Sequence, residues 1–169
     1  MGVRVPPSAP RIRRSGATFS GVRGGLLAIL AYSALFFAED ADILGILAGK
    51  GHVGVTIKIA LGGPDSAQVI QHGAEEGFDD AMPAKIRNAL TLYRPMLATE
   101  NVEIRLHQSV LYNSIYRADD QLIVNQHAFG IPAARASVFC LGGSESGGTV
   151  AAYLASFERV WATAEPVSE

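Results

Sequence analysis

Apolar and polar positions divide the chain into short runs of strand length that alternate with stretches of helical period. Residues 27–32 form a continuous apolar run ending at Tyr32, the pattern of a buried strand. Asp40 or Asp42 then caps a helix through about residue 48, with Ile43, Leu44, Ile46 and Leu47 on its apolar face. Gly49-Lys50-Gly51 is expected to stop that helix. In residues 53–61, Val55, Ile57 and Ile59 alternate as a second strand. Gly62-Gly63-Pro64-Asp65-Ser66 reads as a turn, with Asp65 or Ser66 as N-cap of a helix reaching about residue 76. A further helix starts near Asp80 and puts Met82, Ile86, Ala89, Leu90 and Tyr93 on one face. It tolerates Pro83 in its first turn and ends before Pro95.

Residues 102–106 alternate as a half-exposed strand. Residues 110–117 and 121–126 flank Ala118-Asp119-Asp120 as a hairpin, and residues 137–141 form a last strand. Between residues 149 and 162, Val150, Tyr153, Leu154, Phe157, Val160 and Trp161 keep helical spacing, so a closing helix packs on the sheet. This order predicts an α/β fold, a mixed β-sheet with flanking helices. It occupies one domain over residues 26–163, between a flexible basic arm at 1–25 and a tail at 164–169. At 169 residues with 49% apolar and 18% charged side chains, the chain is long and apolar enough for a real core. The same composition excludes a collagen-like or disulfide-rich class.

Charge changes the picture of partners. The first 25 residues carry five arginines and no acid, so the other 144 hold nine basic and sixteen acidic side chains, a balance of −7. Such a globule repels nucleic-acid backbones, and any DNA contact must come from the arm or from a module absent from this sequence. Cys140 lies alone in an apolar run, which predicts a buried, reduced thiol and a cytoplasmic setting. The run LLAILAYSALFFA after an Arg-rich stretch has the order of an export signal. At thirteen residues it is too short to span a bilayer, for which about 20 are needed, and against export stand the Gly24-Gly25 break and the lack of a later cysteine framework, so the run reads as a buried strand and no membrane partner is expected.

Three segments carry a family resemblance: Leu61-Gly62-Gly63-Pro64-Asp65-Ser66, residues 79–93 (DDAMPAKIRNALTLY) and residues 112–125 (YNSIYRADDQLIVN). Over about residues 26–163 the chain resembles the uncharacterised C-terminal domain of actinobacterial XRE-type helix-turn-helix transcriptional regulators. That domain in turn resembles a degenerate half of the phospholipase D fold. Gly63 and Pro83 depart from the pattern, standing where Asp and Ala are expected. The DNA-reading module of such regulators needs several helices, which residues 1–25 cannot hold.

The phospholipase D pattern His-x-Lys-x-x-x-x-Asp falls on Tyr112, Ser114 and Asp119. A tyrosine, with a reference pKa near 10, needs an activating base to attack phosphorus, and serine supplies no positive charge. The resemblance therefore implies a non-catalytic sensor, effector or dimerisation domain. The competing reading is a single-motif phosphodiesterase or nuclease.

The candidate ligand site comprises Gly62, Gly63, Asp65 and Ser66 on the first turn, and Tyr112, Asn113, Ser114, Arg117, Asp119, Asn125 and His127 along the hairpin. The turn offers backbone amides and a helix N-terminus to a small anionic ligand. Strand alternation places Tyr112, Ser114 and Tyr116 on one face and Asn113 and Arg117 on the other. Asp119 is expected to fold back onto Tyr112, Ser114 or Arg117, held by the guanidinium. His52, His72, His107 and His127 lack metal-ligand spacing, so neither metal nor cofactor is expected, and His52 and His72 read as exposed. Lys85, Arg87 and Arg94 read as a solvated face, and the aromatic stripe of the last helix reads as core, with a homodimer surface at Trp161 near the chain end as the alternative.

Overall fold

The computed structural model describes residues 25–142 and 147–168, so the arm expected over residues 1–25 lies outside it except for Gly25. A seven-stranded mixed sheet runs through the molecule in the order β6-β5-β4-β1-β2-β3-β7. The chain forms β1 (Leu26–Ala31), α1 (Leu35–Ala38), α2 (Ala41–His52), β2 (Thr56–Gly62), α3 (Ala67–Glu75) and α4 (Ala81–Tyr93). A 3-10 turn (Arg94–Ala98) leads to β3 (Val102–His107), then β4 (Asn113–Ala118), β5 (Gln121–Gln126), β6 (Val138–Leu141), α5 (Gly147–Thr163) and β7 (Glu165–Pro166). Helical crossovers join β1, β2 and β3, which are parallel, whereas β4, β5, β6 and β7 each pair antiparallel with a neighbour. The fold is thus the expected α/β type.

Central strands are buried on both faces, which is why β1 and β2 read as near-continuous apolar runs. One core cluster gathers Leu30, Ile115, Leu122 and Val124 under Phe157 and Trp161 of α5, with Val69, Met82 and Ile86 from α3 and α4. A second gathers Ile29, Ile57, Ile59 and Ile104 with Leu47, Ala89 and Tyr93. Trp161 therefore belongs to the core. Its ring lies under the Arg105 guanidinium at 4.5 Å and the Lys58 ammonium at 5.2 Å, and it offers no dimer surface.

Local chemistry explains most boundaries. The Asp40 carboxylate caps α2 by accepting from the Asp42 and Ile43 amides, and Ser66 caps α3 by accepting from Val69. Contrary to expectation, α2 runs through Gly49-Lys50-Gly51. Gly51 serves close packing, since a Cβ there would stand 2.8 Å from the Glu100 carbonyl oxygen. The helix ends instead just before Gly54, whose φ of +89° is the left-handed conformation glycine adopts freely. As expected, α4 ends before Pro95, at Tyr93, and the proline enters the first turn of the following 3-10 segment.

One further expectation is corrected. Cys140 is exposed, because β6 is an edge strand in which Leu141 packs against the core while Val138, Phe139 and Cys140 stay exposed. Residues 165–166, within the segment expected as a tail, add β7 to the edge of β3, and the Val167 amide donates to the Ile104 carbonyl.

Candidate functional site

Strand direction fixes where side chains can converge. The antiparallel pairing of β4 with β1 brings the start of β4 to the carboxyl end of β1, and β5 returns its own carboxyl end to the same place. This edge, where chain connections diverge to either side of β1, is where open α/β sheets form a crevice. A cleft of about 290 Å³ lies there, walled by Tyr32 after β1, His72 and Glu75 of α3 with Glu76 at its C-cap, Tyr112 before β4 and His127 after β5.

Tyr32 is the hub. Its ring stacks on His72 at 4.1 Å and on His127 at 5.7 Å, and lies 5.8 Å from His107. Its hydroxyl accepts from the Leu111 amide at 3.0 Å. The Leu111 carbonyl accepts from His127 Nδ1 at 3.1 Å, so one residue of the loop before β4 is held from both sides. A carbonyl can only accept, so Nδ1 carries the proton and Nε2 is bare. The Ser114 hydroxyl donates to that Nε2 at 3.0 Å.

Burial keeps these imidazoles neutral. Desolvation, reinforced by the neighbouring His127 and opposed by Glu75, lowers the His72 pKa to about 4. The His107 pKa is likewise pushed down to about 4 by burial, against the bonds to Ala31 and Ser109. His127 is lowered by the same cause. Burial raises Glu76 above the usual carboxylate range, with Lys85 and an amide bond from Ala133 pulling the other way. His72, expected to be exposed, is buried because α3 packs its face onto Tyr32.

The structure gathers only part of the candidate set. Tyr112 stands at the rim of the cleft, 77% exposed and just before the strand. Ser114 is buried beneath His127 and does not line the cleft. Asn113 pairs with Gln126 in the hairpin, and Asn125 donates to the Ala133 and Ser137 carbonyls, fixing the loop beyond His127.

Arg117 and Asp119 lie toward the opposite edge of the sheet, three and five residues from Ser114 and so about 10 and about 17 Å away at ~3.4 Å per residue. Asp119 does not fold back. Its carboxylate accepts from the Leu26 amide at 2.8 Å, and Arg117 Nε donates to the Asp119 carbonyl rather than to the carboxylate. The turn has other employment as well. The Gly63 amide donates to the His107 carbonyl, Ser66 caps its own helix, and the exposed Asp65 pairs with Arg87 at 2.6 Å. Gly62, Gly63, Asp65 and Ser66 do not line the cleft.

Sequence reasoning missed Tyr32, His72, Glu75 and Glu76. Tyr32 had one readable signal, a polar aromatic at the carboxyl end of a central strand. His72 and Glu76 sit one helical turn apart, a spacing that places them on one face.

No family model and no curated protein matches the chain. Among solved structures it is similar to TrmBL2, described as an archaeal chromatin protein with a novel mode of DNA binding, at 17% sequence identity and a TM-score of 0.45. The similarity covers 85% of this chain and 44% of that one, so the present chain spans less than half the length of that neighbour.

Proposed function

We propose that residues 26–163 act as a non-catalytic, small-molecule-responsive domain, the effector portion of a helix-turn-helix transcriptional regulator of the kind the chain resembles. One observation carries this reading. The cleft at the carboxyl edge is walled by polar aromatic side chains that fixed hydrogen bonds hold in place, the form of a preorganised binding site. The positions matching the phospholipase D pattern are dispersed. Tyr112 stands at the rim, Ser114 is bound to His127, and Asp119 caps a strand at the far edge. The regulatory output follows from linkage, because a ligand held by the Tyr32–Leu111–His127 network stabilises the loop before β4.

Thermal-shift screening of the full chain against small metabolites tests this. A ligand at 100 times its Kd raises stability by about 2.7 kcal/mol, and Tyr32→Phe or His127→Ala should abolish the rise. A panel that leaves the melting temperature unchanged throughout contradicts the proposal.

One observation favours hydrolysis as a second reading. Ser114 and His127 have the spacing of a nucleophile and its base. Ser114 is only 4% exposed and lies off the cleft wall, so a substrate carbonyl or phosphorus would have to displace the hairpin to reach it. Turnover of a p-nitrophenyl ester or phosphodiester that disappears in Ser114→Ala would establish this second reading.

A further inference from the structure

The cleft wall has a one-sided charge. Among its described lining residues are Glu75 and Glu76 but neither lysine nor arginine, so the anion expected from the sequence would meet carboxylates and find no cation. Lys85 lies near enough to act on Glu76, yet it is not on the wall, and its ammonium is placed 3.4 Å over the Phe78 ring. Glu75 is oriented by Gln71, whose side-chain amide donates to it at 2.8 Å.

Glu76 is the second and independent observation. Its side chain is only 4% exposed, and Oε1 accepts no hydrogen bond among the described residues. His72 Nε2 lies 3.2 Å away without the alignment a hydrogen bond needs. A buried carboxylate oxygen left in this state is costly, and a donor that also brings positive charge removes the cost. Tyr112 and Phe129 stand exposed at the rim, and aromatic rings of this kind attract cations to their faces. A metal ion fits less well. No three His, Cys, Asp or Glu side chains among the described residues are grouped to hold one, and both ring nitrogens of His127 are committed.

We propose that the ligand of this cleft is a small protonated amine with an apolar body, its ammonium against Glu75 and Glu76 and its body against Tyr112 and Phe129. This inference rests on the reading of the cleft as a ligand site and adds the chemical class. An ammonium supplies three donors, enough for both carboxylates and one more acceptor. A neutral alcohol of the same shape supplies one donor and no charge, and a carboxylate of that shape is repelled.

Calorimetric titration of the full 169-residue chain near neutral pH with phenethylamine, phenylethanol and phenylacetate separates these cases. Phenethylamine should bind at least about tenfold more tightly than either analogue, and Glu76→Gln should weaken it by about tenfold. Tyr112→Ala, at an exposed rim position, should weaken binding without changing the fold and serves if Glu76→Gln fails to fold. Equal or tighter binding of phenylacetate overturns the inference, as does an affinity for phenethylamine that neither variant changes. If phenethylamine fails while another compound raises the melting temperature through Tyr32 and His127, the amine class is wrong and the ligand-site reading stands. If no compound binds, both fall.

Discussion

Acid should loosen this protein well before its carboxylates titrate, and His107 shows why. The side chain is 1% exposed at the end of β3. Nδ1 accepts the Ser109 amide at 3.2 Å, so that nitrogen holds no proton, and Nε2 donates to the Ala31 carbonyl at 3.3 Å. Protonating Nδ1 would break the Ser109 bond and bury a charge, and burial accordingly lowers the pKa from 6.5 to about 4.

The sign and the window of the effect follow from linkage. Above pH 6.5 the imidazole is neutral folded or unfolded, and stability does not depend on it. From there down to about pH 4 the unfolded chain takes up a proton that the folded chain excludes, so stability falls. Below about 4 both states are protonated and the loss stops growing. At 1.36 kcal/mol per unit, His107 alone should cost about 2 kcal/mol at pH 5 and about 3 kcal/mol in full. His72 acts in the same direction. Urea denaturation of the wild type and His107→Gln at about pH 7.5 and about pH 5 isolates the contribution, because the carboxylate terms cancel between the two chains. The variant should lose about 2 kcal/mol less than the wild type on acidification. Equal losses, or an imidazole that titrates near 6.5 in the folded protein, would refute the argument.

Other outcomes follow from single contacts. Leu30→Asp puts a carboxylate at a 1% exposed position in the central strand, at a cost of several kcal/mol, so the cooperative thermal transition should vanish from far-UV circular dichroism. A melt close to wild type would contradict the placement of β1. Asp119→Ala removes the Leu26 bond and leaves alanine at φ +54°, a loss of about 2 kcal/mol, whereas Asp119→Asn retains an acceptor and tolerates that φ, for about 0.5 kcal/mol or less. Denaturation midpoints in the opposite order would show that the cap is unimportant. The full chain should release no nitrophenol from bis-p-nitrophenyl phosphate above a buffer control, and release that is lost in Tyr112→Phe would restore the phosphodiesterase reading.

Patterns carried by neighbouring residues were legible in the sequence, and those carried by distant ones were not. The β4–β5 hairpin and the closing helix show their period within a dozen residues, so pairing and burial follow locally. Cys140 has the same kind of apolar run as β1, yet its strand lies at the sheet edge. Strand order is a property of the whole sheet, so the run alone could not separate buried from exposed. Gly51 resembles a stop signal until Glu100, far along the chain, is seen against its Cα. The candidate site divides in the same way. His127 and Tyr112 stood on a polar hairpin that invited attention, but their partner Tyr32 lies in an apolar run and His72 on a helix that reads as solvated. Only the return of β4 and β5 to the carboxyl end of β1 brings them together.

The account centres on the location of the ligand site, and chemical-shift mapping of the isotopically labelled full chain tests it most directly. Titration with any compound that raises the melting temperature should move the resonances of Tyr32, His72, Leu111, Tyr112 and His127 and leave Asp119 and the turn at Gly62 to Ser66 unchanged. Shifts concentrated on that turn or around Asp119, with the cleft residues silent, would contradict it.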